Sequence, residues 1–277
     1  MRFKSIVFGI VIVASMLSAV KPAYAEVNMA SVTNSLGKYS KPIEKRLNVA
    51  PDALQDNWNV YSESIKIANI ESASKTAYYS YTDGIFIDLE ADATSSLKIQ
   101  CKPKYADFFH EVGHNIGNIL SDTFTAEKES CISYTYKSKA YKCTLNDMLC
   151  REGNAYFKQV RKKTKTDKRA WKKIDRELKS YNMYHSYEVS DIWDGISKGK
   201  AKGYCGHTIA VNGKKYWDSH PVGCEAFANM YEASIMNPKG ITLIKKYFPK
   251  SYKIFIEELN LRSSEEAVSD VSTSKQN

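Results

Sequence analysis

The chain has 277 residues, 43% of them hydrophobic, with a formal net charge of +9 and six cysteines. Beyond the first 25 residues no stretch is long and apolar enough to cross a bilayer, which excludes a multi-span membrane protein. The positive charge comes without a recognisable nucleic-acid-binding motif, and a chain this long can bury a substantial core as one domain or as two subdomains around a cleft.

The N-terminus reads as an export signal. Arg2 and Lys4 precede an apolar run from Ile6 to Leu17, and Ala23-Tyr24-Ala25 supplies a small-x-small cleavage site. The expected mature chain starts at Glu26 and is secreted or otherwise exported. Residues 26–50 read as a loosely structured lead-in. Pro51-Asp52 opens a predicted helix through Trp58 and Tyr61, with proline near the first turn.

Ile65–Ile70 alternates as a half-buried strand does. The runs 77–81 and 85–89 are also strand-like, and Thr82-Asp83-Gly84 between them predicts a hairpin. The Ile85–Leu89 strand is expected at a sheet edge, open to an extended substrate. A helix is predicted over about Tyr105–Leu120. Residues 121–180 are polar, cysteine-bearing and mainly helical in character, with Asn146–Val160 and Asp167–Tyr181 as the clearest helices. Gly195, Gly199, Gly203 and Gly206 predict a loop, and Lys214–Trp217 a short strand or turn. Glu225–Met236 reads as a helix ending before Pro238. Ile241–Phe248 and Tyr252–Leu261 follow as terminal helices, and Arg262–Asn277 as a disordered tail. The expected fold class is α+β, a small sheet on the central helix followed by a mainly helical C-terminal half.

Charge is concentrated in one place. Residues 158–180 carry eleven Lys or Arg against Asp167, Asp175 and Glu177, and the rest of the mature chain is close to neutral. Trp171, Ile174, Leu178 and Tyr181 recur there at helical spacing. The segment is therefore expected to pack one stripe and leave a wet basic side, able to meet an anionic surface.

All six cysteines, Cys101, Cys131, Cys143, Cys150, Cys205 and Cys224, lie after the signal. An even count in an exported chain permits a disulfide framework. Cys205 with Cys224 and Cys131 with Cys143 are the expected pairs; buried free thiols are the alternative. No C-x-x-C pair points to a cysteine metal site.

The chemistry gathers at Phe108-Phe109-His110-Glu111-Val112-Gly113-His114. Residues four apart on a helix share one face, so His110 and His114 can both present an imidazole nitrogen to one zinc ion. Phe108, Phe109, Val112, Ile116, Ile119 and Leu120 recur at helical spacing, which predicts a buried helix. Histidines and a glutamate buried there need partners to offset desolvation. Glu111, beside the first histidine, is expected to act as general base toward a metal-activated water.

Catalytic zinc sites keep three protein ligands. Leu120 stands where a third histidine would extend the motif after Gly117, so the third ligand is expected from a later element. The foremost candidate is Glu225, which opens an amphipathic helix whose small Ala226 and Ala228 permit close approach. His207, Asp218, His220 and Glu232 remain competitors.

Here the sequence resembles the gluzincin type of zincin metallopeptidase, in which a glutamate on a second helix completes the H-E-x-x-H site. Within that group it is similar to bacterial and phage-associated zincin-like proteins and, more loosely, to the catalytic domain of anthrax lethal factor. The matching pieces are H-E-x-x-H, Ser190-Asp191-Ile192, Gly206-His207, Tyr216-Trp217 and Glu225-Ala226-Phe227-Ala228, covering about residues 77–120 and 186–250. The resemblance implies a zincin-like fold, one catalytic Zn2+, ligands His110, His114 and Glu225, a peptide or protein substrate, and a His or Tyr that stabilises the developing oxyanion. His207 and Tyr216 are the candidates for that role. His114 and Glu225 lie 111 positions apart, which makes the basic helical segment an insertion at about 121–185. The alternative function is a zinc-containing binding protein without activity, docked to the cell envelope by its basic segment.

Overall fold

A computed structural model of the chain describes residues 27–69, 77–80, 83–94, 102–121, 131–205, 207, 210–211, 214–219 and 221–261. Residues 1–26, where an export signal is expected, residues 262–277, Cys101, Gly206 and His220 lie outside the described residues. The fold is α+β: largely helical, with a three-stranded sheet and a separate two-stranded ribbon.

The first elements are α1 (Thr33–Leu36), a 3-10 turn at Gly37–Tyr39, α2 (Ser40–Leu47) and α3 (Asp52–Tyr61). This corrects the expectation of a loose lead-in. Val32, Leu36, Ile43 and Leu47 are buried and spaced so that successive turns present them to one side. Val27 and Met29 join the same core, and the Trp58 indole donates to the Asn28 carbonyl at 2.8 Å.

The sheet comprises β1 (Ile67–Asn69), β2 (Tyr78–Ser80) and β3 (Gly84–Ile87), in the order β1-β3-β2. The expected hairpin forms: β2 runs antiparallel to β3, with Tyr78 opposite Phe86 and their rings stacked at 4.8 Å. β1 pairs parallel to β3, Ile67 opposite Ile85. The Ile85–Leu89 run is therefore not an edge. Its backbone is paired on both sides, and at Leu89 the chain already turns into α4 (Leu89–Thr94).

The motif helix is α5 (Ala106–Ile119). Phe108, Phe109, Val112 and Ile116 are all fully buried, as the periodicity required. Tyr105 precedes it in a left-handed conformation (φ 67°) and offers no side-chain cap. The free amides at this end are met from α4 instead: Asp92 accepts from the Phe108 amide at 3.1 Å and the Asp107 amide at 3.4 Å. Burial and the Asp107 carboxylate outweigh those amides and push Asp92 up to about 8.

The C-terminal half is built from α6 (Ile132–Thr135), α7 (Leu145–Thr164), α8 (Asp167–Ser180), α9 (Met183–Ser197), β4 (Ala210–Val211), β5 (Lys214–Lys215), α10 (Tyr216–Ser219), α11 (Val222–Met236), α12 (Pro238–Tyr247) and α13 (Pro249–Leu259). Local chemistry sets the ends. Thr144 and Asp147 form a capping box for α7, Thr166 caps α8, Asn182 caps α9, and Asn237 caps α12 with Pro238 in its first turn. In α8, Ala170, Ile174 and Leu178 are buried, and Trp171 stacks on Phe157 of α7 at 4.0 Å.

One correction concerns the glycine-rich stretch. Gly195 lies inside α9, not in a loop. A Cβ there would sit 2.6 Å from Val222 Cγ2 and 2.9 Å from Trp217 Cζ3, so glycine admits these neighbours. Gly199 (φ 81°) and Gly203 (φ 55°) do lie in the turns after the helix.

The central packing is α5 against α11, which also packs on α9 and α12. The two helices approach closely at Gly113, where an added Cβ would lie 2.7 Å from the Ala228 Cα and 3.0 Å from the Tyr231 Cβ. The first of these neighbours is backbone and cannot swing aside. Gly113→Ala is therefore expected to force the helices apart and to destabilise the fold by about 1–3 kcal/mol, readable as a lower denaturant midpoint. A variant as stable as the parent would show that the helix pair relaxes without loss.

Candidate metal centre

Two helices carry the centre. His110, Glu111 and His114 project from α5, and Glu225 from the first turn of α11. His110 Nε2 lies 3.4 Å and His114 Nε2 3.5 Å from the same Glu225 Oε2. The imidazole rings meet edge to face, with centroids 4.8 Å apart. These three donor atoms lie close enough together to share a metal ion.

The polar atoms fit such an ion. Glu225 Oε2 is buried and accepts no well-formed hydrogen bond, whereas Glu225 Oε1 accepts one from the Tyr216 hydroxyl at 2.5 Å. One carboxylate oxygen is thus fixed by the protein and the other faces two imidazole nitrogens. Burial alone would raise the Glu225 carboxyl; His114 and His110 outweigh it and hold Glu225 well below the usual carboxylate range. Two imidazoles and a carboxylate form a borderline-soft N2O set, which suits a first-row divalent cation.

Behind His110 stands Glu232, two turns beyond Glu225 on α11. Its Oε2 lies 3.4 Å from His110 Nδ1, and its other oxygen accepts a short hydrogen bond from the Tyr187 hydroxyl of α9. Glu232, one of the competing third donors, is completely buried. It faces the ring nitrogen turned away from the centre, the usual place of a carboxylate that orients a ligating histidine.

Glu111 is buried beside this cluster, within electrostatic range of His110, His114 and Glu225. Burial outweighs the two histidines and pushes its carboxyl above the ordinary glutamate range. A carboxylate so placed has an increased appetite for a proton.

His207 enters from the opposite side. Its Nδ1 lies 2.8 Å from Asp191 Oδ1, and its Nε2 4.0 Å from Glu225 Oε2. Asp191 is anchored through its other oxygen by the Asn229 amide at 2.9 Å. Because the carboxylate only accepts, Nδ1 carries a proton and Nε2 faces the centre. Burial works against the imidazolium, but Asp191 and Glu225 prevail and hold His207 above its ordinary value. The His207 ring stacks on Tyr216 at 4.1 Å and meets Trp217 edge-on at 5.2 Å. Trp217 is fixed in turn by donating to Asp194 of α9 at 2.7 Å. Asp191, His207 and Glu225 form a second group of donors able to share a cation, with Glu225 common to both.

The structure therefore brings His110, Glu111, His114, His207, Tyr216 and Glu225 into one place. Of the competing third donors, Asp218 is exposed on α10 and outside either donor group. Sequence reasoning missed Asp191 as a partner of His207, although it lay in a quoted fragment. Glu232 and Tyr187 were missed as supports of His110. The available signal was the spacing Glu225…Glu232, which returns to the same side of a helix after two turns.

Among the described cysteines, Cys131, Cys143, Cys150, Cys205 and Cys224 are free thiols. The expected Cys205–Cys224 and Cys131–Cys143 pairs are not formed. Cys131 and Cys224 instead share the Ser133 hydroxyl, at 3.3 Å and 3.9 Å from their sulfurs. Among the described residues no helix is long and apolar enough to cross a membrane. Compared with protein-family models, curated proteins and solved structures, the chain matches none of them.

Proposed function

We propose that the protein is an exported zinc-dependent peptidase of the zincin kind, hydrolysing peptide bonds at the His110–His114–Glu225 centre. One observation carries the reading: two imidazole nitrogens converge within 3.4–3.5 Å of a single buried Glu225 oxygen, with Glu111 between the histidines on the same helix. Zinc is the cation named because an N2O set from two histidines and a glutamate is a common catalytic zinc arrangement.

His110, His114 and Glu225 would hold the ion. When bound, zinc supplies Lewis acidity that polarises a carbonyl and acidifies water toward neutral pH. Glu111 accepts the water's proton on a carboxylate oxygen and returns it to the leaving amine. His207 offers Nε2–H to the carbonyl oxygen as negative charge develops there, with Asp191 sustaining its charge. The Tyr216 hydroxyl, which donates to Glu225 Oε1, is the second candidate donor and would have to leave that bond to serve. Glu232 keeps His110 in register. The basic side of α7 and α8 suits contact with an anionic surface and takes no part in the chemistry.

The test combines metal analysis of the purified mature chain with digestion of a peptide library. About one zinc per chain and chelator-sensitive cleavage are expected. A chain that binds zinc stoichiometrically yet cleaves nothing would favour the alternative, a zinc-containing binding protein. A chain that retains no transition metal would remove the basis of both.

A further inference from the structure

The metal-binding turn of α11 is clamped by its neighbours before any cation is considered. The Gly223 amide, one of the unpaired donors at the start of this helix, donates to Asn146 Oδ1 of α7 at 3.2 Å. Tyr134 of α6 donates to the same oxygen at 3.0 Å. A Cβ on Gly223 would lie 2.9 Å from the Ser133 hydroxyl, so α6 presses directly on this turn.

Two thiols sit at that junction. Cys131 precedes α6, and Cys224 lies in the first turn of α11 next to Glu225. The Ser133 hydroxyl reaches both, at 3.3 Å from Cys131 Sγ and 3.9 Å from Cys224 Sγ. Cys131 is 5% exposed and Cys224 is half-buried, so the two thiols share one hydroxyl while one of them stays open to a reagent.

We propose that Cys131 and Cys224 are a disulfide site, whose bond covalently ties the turn carrying Glu225 to the segment entering α6. The inference rests on the apposition of the two thiols and stands whether or not the centre is a peptidase. The oxidant is of the disulfide class, either a small disulfide such as oxidised glutathione or a protein disulfide donor. One of the two sulfurs attacks the donor's S–S bond and releases one donor thiol. The other then attacks the mixed disulfide and releases the second. Two protons and two electrons leave the protein as Sγ–Sγ forms, and one donor disulfide becomes two thiols.

The bond would close a long loop through α6, α7, α8 and α9, which restricts the unfolded chain strongly. Oxidation is therefore expected to raise the melting temperature by about 10 °C. The site is tested on the full mature chain after incubation with oxidised glutathione. The sample is unfolded in denaturant with an alkylating reagent, so burial cannot hide a thiol, then digested without reduction and mapped by mass spectrometry. A linked peptide pair containing Cys131 and Cys224, lost on reduction, is expected. The melting shift should be absent in Cys131→Ser and retained in Cys143→Ser. Recovery of Cys131 and Cys224 as alkylated thiols, or bonded to other cysteines, overturns the proposal. The mapping needs neither metal nor turnover, so a failed peptidase assay leaves its result intact.

Discussion

Glu111→Gln is expected to bind zinc as the parent does and to cleave a susceptible peptide about 10²–10⁴-fold more slowly. The substitution keeps the size of the side chain and removes its ability to take a proton. Glu111 is buried on α5 and its carboxyl is raised above the ordinary glutamate range, as suits a group that must accept a proton and hand it on. The comparison is turnover against metal content. Equal turnover in parent and variant would remove Glu111 from the role of base. Loss of metal together with turnover would instead make it part of the binding shell. His207→Gln gives a useful contrast, since it should slow cleavage without touching metal content.

Glu225→Ala is expected to leave the protein without stoichiometric zinc under conditions in which the parent retains it. Two histidines alone make a poor site, and the substitution removes the oxygen toward which both nitrogens converge. Glu232→Gln should act more mildly, weakening metal affinity about 10–100-fold by releasing His110 from its rear carboxylate. The graded pair distinguishes a ligand from a supporting residue. The parent should also lose thermal stability on chelation: a ligand present at 1,000 times its Kd contributes about 4 kcal/mol to the folded state. If Glu225→Ala retains a full equivalent of zinc, the third ligand lies elsewhere, and Asp191 with His207 becomes the first place to look.

Much of the site was legible because its chemistry is local. The His110/His114 spacing and the apolar stripe of α5 lie within one short segment, and the helical periodicity that buries Phe108 and Val112 is a strong signal. Glu225 was legible for a different reason: small residues beside it forecast a tight helix contact, and Ala228 does meet Gly113. Glu232 was not, because α11 is buried nearly all round. Such a helix has no wet face against which an inward-pointing acid stands out. α9 was hidden by Gly195 near its end and the glycines that follow it, since only the packing of Trp217 and Val222 explains Gly195 within a helix. The place of β3 at the centre of the sheet depends on a parallel pairing with β1, and such pairings leave little trace in a local sequence pattern. Cysteine partners were equally out of reach, since proximity of Cys131 to Cys224 is a property of the α6–α11 junction alone.

The division of the donors between α5 and α11 has a consequence for biogenesis. With His114 and Glu225 lying 111 positions apart, a ribosome that has delivered only the first half of the chain has produced two imidazoles and no carboxylate to complete them. Contacts this distant in sequence form late and slowly. On the proposed peptidase reading, the growing polypeptide thus stays inert toward its own peptide bonds, and toward its neighbours', until Glu225 has been made.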